Sequence, residues 1–389
     1  MGKTTLYKRD RRGAVLVWTI EWDGESYWTT SGQVGGGMTT TAKTHCHPKN
    51  VGRANETSVE AQVESEVRSK VNKQRDAGYG DDPEAPERFE VSLANKYQDR
   101  RDKGLEDFPY IVNPKLDGIR CYMRREDGRV VMRSRKHKEF VSCPHIAEDP
   151  DVIALFEDNP DLTLDGELYN HELKDDFNRI CSIIAKKKPT GEDLAESRKF
   201  IRFNCFDCLF SDEPELPYNE RNTRLAGMCR GFGGEVLCFV SSAGITGPEG
   251  YRNVFVDSDA EVEAYIERYV GQGFEGVMLK KDVPYIFGRS NDLLKYKRFK
   301  DAEYEIAGFE EGKGNMAGHA ATVVCVDSRG VKFKAGVAGD REYTKYLLDN
   351  PDEFIGKRCT VKYQELTPET ERGGGVPRFG KMTAIRNYE

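Results

Sequence analysis

Between about residues 90 and 302 the apolar residues of this chain fall mostly in short, strand-length runs, and two stretches there carry a clear helical period. That mixture points to an α+β chain in which sheets supply most of the core. One helix is expected over "HELKDDFNRICSIIAKKK", with Phe177, Ile180, Cys181 and Ile184 on its buried face. The other is expected over "DAEVEAYIERYVGQG", with Val262, Tyr265, Ile266 and Tyr269. The triple lysine 186–188 reads as a solvated helix end.

The two ends have a different texture. All three tryptophans, Trp18, Trp22 and Trp28, lie in the first 28 residues, where "AVLVWTIEW" and "SYWTTSGQVGG" read as strands joined by "DGES". A helix follows, with Val59, Val63, Val67 and Val71 four apart, Thr57 and Glu60 at capping-box spacing, and Gly78 as its stop. Residues 1–80 are therefore expected to form a small β-rich domain with one helix, and the acidic, Pro-containing 81–90 a linker. The last 85 or so residues carry short strands ("ATVVCVD", "VKFKAG", "RCTVKYQEL") between Gly-rich turns, the pattern of a small barrel over 303–389. At 389 residues the chain has room for all three domains, with the largest over 91–302.

Composition narrows the function classes. No run approaches the roughly 18 apolar residues of a membrane helix, and the N-terminus has no apolar signal core, so no membrane partner is expected. The ten cysteines are scattered except for "CFDC" at 205–208, which has no second pair to complete a zinc site. They read as free thiols of a reducing cytoplasm. A net charge of −7 argues against indiscriminate coating of nucleic acid, although residues 1–80 alone are +3. "GKTT" at 2–5 copies the tail of a phosphate-binding loop, but it lacks the preceding strand and glycine that such a loop needs.

The stretch that carries chemistry is "NPKLDGIRCYM", residues 113–123. Lys115 stands at the end of one strand, Asp117 and Gly118 make a turn, and Arg120 opens the next strand. A lysine acts as a nucleophile only when partly neutral, and desolvation with neighbouring cations lowers its pKa enough. The plain alternative is a surface K-L-D-G turn. Downstream, Glu167 and Glu275 sit in otherwise apolar strands, where a carboxylate is costly unless it binds something. Lys295 and Lys297 alternate along a strand and so share a face.

"NPKLDGIR" resembles motif I of the covalent nucleotidyltransferases, the superfamily of ATP-dependent DNA ligases, RNA ligases and capping enzymes. The remaining motifs follow in that superfamily's order: "MRSRKHKEF", "LDGELYN", "FNCFDCLF", "FEGVMLKK", "LLKYKRFKDAEYEI" and "VPRFGKMTAIRNY". The match is strongest with compact viral and bacteriophage ATP-dependent DNA ligases. It implies an antiparallel-sheet nucleotidyltransferase domain followed by an OB-fold barrel. The first 80 residues resemble a WGR-type module, with Ser31-Gly32-Gln33 where Trp-Gly-Arg would stand.

The resemblance further implies that Lys115 is the nucleophile that becomes AMP-lysine, with Lys295 and Lys297 on the α-phosphate. ATP would be held by Asp117, Gly118, Arg120, Glu167, Phe206, Lys280, Arg378, Lys381 and Arg386. Glu275 and Asp165 would hold magnesium, which manganese could replace, and Arg135 the 5′-phosphate of a nick. The expected partners are ATP and nicked double-stranded DNA, handled by a monomer in the cytoplasm, that of the host if a phage encodes the chain. The rival readings are a GTP-dependent capping guanylyltransferase, an RNA ligase, and a silent nick-binding protein.

Overall fold

The computed structural model describes the whole chain except residues 11–12, 85–88, 247–252, 314–315, 368–374 and 387–389. Part of the expected linker and the last two residues of the final motif thus lie outside the described residues. The chain divides into two compact units, Met1–Val91 with Met132–Glu139, and Ser92–Val131 with Phe140–Glu389.

In the first unit, strands Gly2–Arg9, Val15–Trp22, Ser26–Gln33 and Met38–Thr40 run antiparallel in that order, and Thr44–His45 also pairs with the third. "GKTT" opens the first strand and forms no phosphate-binding loop. Asp23 closes the expected turn by accepting from the N–H groups of Glu25 (3.0 Å) and Ser26 (2.7 Å). The helix Val59–Asp76 packs Val63 and Val67 onto Leu6, Trp18, Ile20 and Tyr27, while Val59 and Val71 are half-buried. Its N-cap is Ser58, not Thr57: the Ser58 hydroxyl accepts from Ala61 N–H at 3.1 Å. Gly78 ends the helix in a left-handed conformation, φ 91°.

The second unit holds two sheets and a barrel. One sheet has the order Gly244–Thr246, Leu237–Ser241, Arg202–Phe210, Leu162–Tyr169, Ile119–Glu126, Arg129–Ser134, the last three residues of the final strand being counted with the first unit. The other has the order Phe255–Val256, Tyr110–Lys115, Gly276–Lys280, Gly288–Lys297, Ser92–Lys96. Most pairings are antiparallel, with parallel exceptions at Ser92–Lys96 and Leu237–Ser241. The architecture is α+β, as expected.

The helices are more numerous than the sequence suggested. Pro150–Asp158, Gly191–Phe200 and Tyr218–Cys229 join the two expected ones. The first expected helix is shorter, Phe177–Ile184, and buries Ile180, Ile183 and Ile184, leaving Phe177 and Cys181 half-buried. The second, Asp259–Gly271, buries Val262, Ile266 and Tyr269 and leaves Tyr265 half-buried.

The barrel closes in the order Lys300–Glu311, Ala320–Val326, Lys332–Val337, Lys381–Ile385, Arg358–Tyr363, which is the five-strand closure of an OB fold. Its interior is filled by Ile306, Val323, Cys325, Phe333, Cys359, Val361 and Met382, with Leu347 of the helix Arg341–Asp349. All ten cysteines are free thiols. Among the described residues no helix is long and apolar enough to cross a membrane.

Candidate active site

Lys115 ends the strand Tyr110–Lys115 directly opposite Gly276, which on its other side faces Lys297. Three strands thus place Lys115 and Lys297 on either side of Gly276, and Glu275 precedes it with its N–H bonded to Lys115 O at 2.9 Å. The Glu275 carboxylate, 4% exposed, forms ion pairs with both lysine amines. Only glycine fits at 276: a Cβ there would lie 2.2 Å from the Tyr296 carbonyl oxygen. Lys297 also donates to Gln364 Oε1 at 3.3 Å. Lys295 lies one alternation back, half-buried on the same face, opposite Met278.

Burial pushes the Lys115 amine below the ordinary lysine range, and the Arg120 charge adds to this, while Glu167 and Asp117 oppose it. The Glu275 ion pair opposes it further, so the amine that burial favours as neutral is the one released from Glu275. Lys297 is lowered to about 8, first by burial and then by the Lys115 charge.

Beyond Lys115 the chain turns at Asp117-Gly118. Gly118 is required for close approach, not for a left-handed turn. A Cβ there would meet Leu168 O at 2.6 Å and Glu167 Cγ at 2.9 Å, so glycine lets the turn lie against the strand Leu162–Tyr169. Asp117 Oδ2 accepts from Arg378 at 2.8 Å, and Arg378 is also ion-paired with Glu365. The Arg378 guanidinium lies 4.1 Å from the centre of the Phe177 ring and 4.8 Å from that of Phe379. A cavity of about 290 Å³ opens here, lined among others by Asp117, Lys174, Phe274, Glu275, Arg298 and Glu365.

A second group lies on the other sheet. Arg120 and Glu167 are cross-strand partners, and burial raises the Glu167 carboxyl against the pull of Lys115 and Arg120. Arg120 donates to both oxygens of Asp165, at 2.7 and 2.5 Å, and its guanidinium is 4.5 Å from the centre of the half-buried Phe206 ring. Asp165, expected as a metal ligand, gives its oxygens to Arg120 and to the Tyr285 hydroxyl at 2.6 Å. Lys280 is buried, and burial lowers it to about 8. It donates to Phe206 O at 2.7 Å and to the Tyr218 hydroxyl at 2.9 Å.

Of the expected residues, the structure joins Lys115 and Lys297 to Glu275, and Asp117 to Arg378, by contact, and brings Arg120, Asp165, Phe206 and Lys280 into a further network. Lys381 is instead an exposed barrel residue opposite Gly336 and Lys362, and the exposed Arg386 pairs with Glu303 at 3.1 Å. Arg135 is exposed in the first unit. Sequence reasoning missed Glu365, Gln364, Tyr218 and Asn113. For Asn113 a signal existed, because it stands two residues before Lys115 on the same strand face.

The family model described as the ATP dependent DNA ligase domain matches residues 92–297, just over half of the chain and the span that holds Lys115, Glu275 and Lys297. The chain belongs to the ATP-dependent DNA ligase family. It is similar to the DNA ligase of African swine fever virus (isolate Pig/Kenya/KEN-50/1950), 26% identical over 359 residues, covering 87% of this chain and 78% of the viral one. It is also similar to a DNA ligase of Methanospirillum hungatei, 28% identical over 301 residues, 73% of this chain and 49% of the archaeal one.

Among solved structures, one from a structure–function study of Lig E DNA ligases matches with a TM-score of 0.58 and 25% identity, over 76% of this chain and 99% of that one. Another, Pmar-Lig_PreS3, shares the fold with a TM-score of 0.64 at 18% identity, over 85% and 74%. The guanylyltransferase and RNA-ligase readings give way: the protein is an ATP-dependent DNA ligase, acting on DNA with ATP.

Proposed function

We propose that this ligase seals 5′-phosphate/3′-hydroxyl nicks in duplex DNA through a covalent lysyl–AMP formed on Lys115. The observation that carries the reading is the sharing of one buried carboxylate, Glu275, by two amines of lowered or opposed basicity, Lys115 and Lys297. Lys115 gives up its proton and attacks the α-phosphorus of ATP. An N–P bond forms and the bond to pyrophosphate breaks. An oxygen of the nick 5′-phosphate then takes the AMP from the lysine, and the 3′-hydroxyl attacks that phosphate and expels AMP.

Lys297 and Lys295 are assigned to the α-phosphate charge, Glu167 to the ribose hydroxyls, and Phe206 to the face of the adenine. Gly118 keeps the turn close beneath the nucleotide, and Asp117 orients Arg378, which is assigned to the pyrophosphate. Asp165 is assigned to holding Arg120 and not to metal, since its oxygens are already engaged. Lys381 and Arg386 are left to the barrel surface, and Arg135 to the nick 5′-phosphate, which suits a guanidinium.

Among the described residues no group of three His, Cys, Asp or Glu side chains could hold a metal. Glu275 differs from Asp165 in its partners, two site lysines that the phosphates of ATP would draw off, and the freed carboxylate fits magnesium, which commonly binds through one or two carboxylates completed by substrate phosphates and water. Magnesium, or manganese in its place, would offset the negative charge gathered on the phosphates when bound. The first unit is assigned to holding duplex DNA, the active form to a monomer, and the thiol-rich chain to a reducing cytoplasm. The test is to incubate the protein with magnesium and α-labelled ATP and run a denaturing gel. Label should remain on the chain, vanish in Lys115→Ala, and chase onto nicked DNA. Unchanged labelling of Lys115→Ala would overturn the assignment of the nucleophile.

A further inference from the structure

Three residues, Gln272, Gly273 and Phe274, link Glu275 to the end of helix Asp259–Gly271. Gln272 is the helix's C-cap, and Gly273 turns left-handed, φ 89°. The helix holds part of this link: Gly273 N–H donates to Val270 O at 3.0 Å, and Phe274 N–H to Tyr269 O at 2.9 Å. The rest is held by a short turn far earlier in the chain, His171–Leu173, which follows the strand Leu162–Tyr169. Asn170 starts that turn by accepting the Glu172 N–H at 2.9 Å.

Each of the three link residues is touched from there. His171 Nε2 lies 3.0 Å from Gln272 O, and the His171 ring faces that of Phe274 with centres 4.5 Å apart. Between them the stem of Lys174 fills the place of a side chain on Gly273, where a Cβ would lie 2.4 Å from Lys174 Cδ. A carbonyl oxygen only accepts, so Nε2 carries the ring proton. Nδ1 is then a bare acceptor and takes the Tyr169 O–H at 2.9 Å, which fixes the tautomer. Burial also pushes the ring below the ordinary histidine range, which favours this neutral form.

Glu275 comes next in the chain. Its N–H donates to Lys115 O at 2.9 Å, and its carboxylate pairs with Lys115 and Lys297. A misplaced link would carry that carboxylate away from both amines, and an error of about 1 Å in such a group can cost about 100-fold in rate.

We propose that His171, its tautomer fixed by Tyr169, is a positioning residue that pins the link Gln272–Phe274 and so sets the Glu275 carboxylate between Lys115 and Lys297. This rests on the reading that Lys115 becomes AMP-lysine, and adds to it a residue that acts through the backbone.

The experiment is the rate of covalent labelling of the full chain by magnesium and α-labelled ATP in three variants. His171→Phe keeps a ring against Phe274 without the N–H, His171→Asn offers an amide N–H near the place of Nδ1, and His171→Gln offers one near Nε2. At saturating ATP, His171→Phe and His171→Asn should label about tenfold more slowly, with the half-saturating ATP concentration within about twofold. His171→Gln should return the rate to within about threefold of the unaltered protein. Tyr169→Phe should slow labelling about threefold alone and add nothing to His171→Phe, because it acts only through the ring.

Unchanged rates in all three His171 variants overturn the proposal while leaving the labelling of Lys115 intact. So does a rise in half-saturating ATP as large as the fall in rate, which would make His171 a nucleotide contact. A His171→Gln rate as low as that of His171→Phe overturns it too. Absence of label from the unaltered protein removes the underlying reading and this proposal with it. If His171→Phe fails to fold, as judged by its thermal melt, the comparison of His171→Gln with His171→Asn decides alone.

Discussion

Two sets of buried charge in the second unit look alike on a list and differ in kind. Asp207 and Arg221 pair at 3.0 and 3.3 Å. The other guanidinium nitrogen reaches Leu216 O (2.5 Å) and Val283 O (3.0 Å), and Asp207 also accepts the Cys208 N–H at 2.8 Å. Each of those groups is answered by a neighbour within the fold. At Glu275, by contrast, one carboxylate serves the two amines of Lys115 and Lys297, an unequal match that a phosphate would complete. The first arrangement closes on itself and holds helix Tyr218–Cys229 to its sheet. The second is the one proposed to receive the phosphates of ATP. A buried ion pair is weak evidence of stability in general, but breaking a satisfied one is strongly destabilising.

This contrast can be broken most sharply at Glu275. Glu275→Gln keeps the shape and removes the charge, and sealing of nicked DNA at saturating ATP should fall about 100-fold. A rate within about threefold of the unaltered enzyme would mean that the carboxylate is structural after all. Asp207→Asn should do the reverse. It should lower unfolding free energy by ~3 kcal/mol in a denaturant titration, while kcat per folded molecule stays within about twofold.

Lys297→Arg tests the titration. The charged form of Lys297 is the protonated one, so with a pKa of about 8 its cation is lost as pH rises through that value. Labelling should decline on that alkaline side, and arginine, which keeps its charge, should move the decline to higher pH. An alkaline limb that does not move would assign it to another group. The smallest effect belongs to the first unit: Ser58→Ala removes one cap and should cost ~1 kcal/mol of that unit's stability, leaving labelling of Lys115 unchanged.

The residues proposed for the site were legible because strands alternate. Lys295 and Lys297 had to share a face, and Glu167 and Glu275 were conspicuous as carboxylates among apolar neighbours. What misled was local ambiguity. Thr57-x-x-Glu60 fits a capping box as well as Ser58 fits a simple cap, and only the hydroxyl that reaches Ala61 N–H decides between them. In Phe177–Ile184 the face was misjudged because Ile183, not Phe177 or Cys181, meets the core. Asp165 reads like a metal ligand from sequence, and only the fold shows its oxygens accepting from Arg120 and Tyr285.

By itself the sequence determined the kind of chain: strand-length apolar runs fix an α+β architecture, since side-chain periodicity dictates which faces can be buried. It also determined which residue types could do phosphoryl chemistry, because a carboxylate or amine in an apolar strand is too costly to be idle. Tertiary structure alone decided how those charges are shared. Gly276 sets Lys115 and Lys297 beside one carboxylate, Glu365 and Asp117 draw in Arg378 from the barrel, and Tyr218 donates to Asn113 across more than a hundred residues. These partners lie tens to hundreds of residues apart in sequence, and a hydrogen bond's strength depends on a fit of tenths of an ångström that no spacing along the chain encodes.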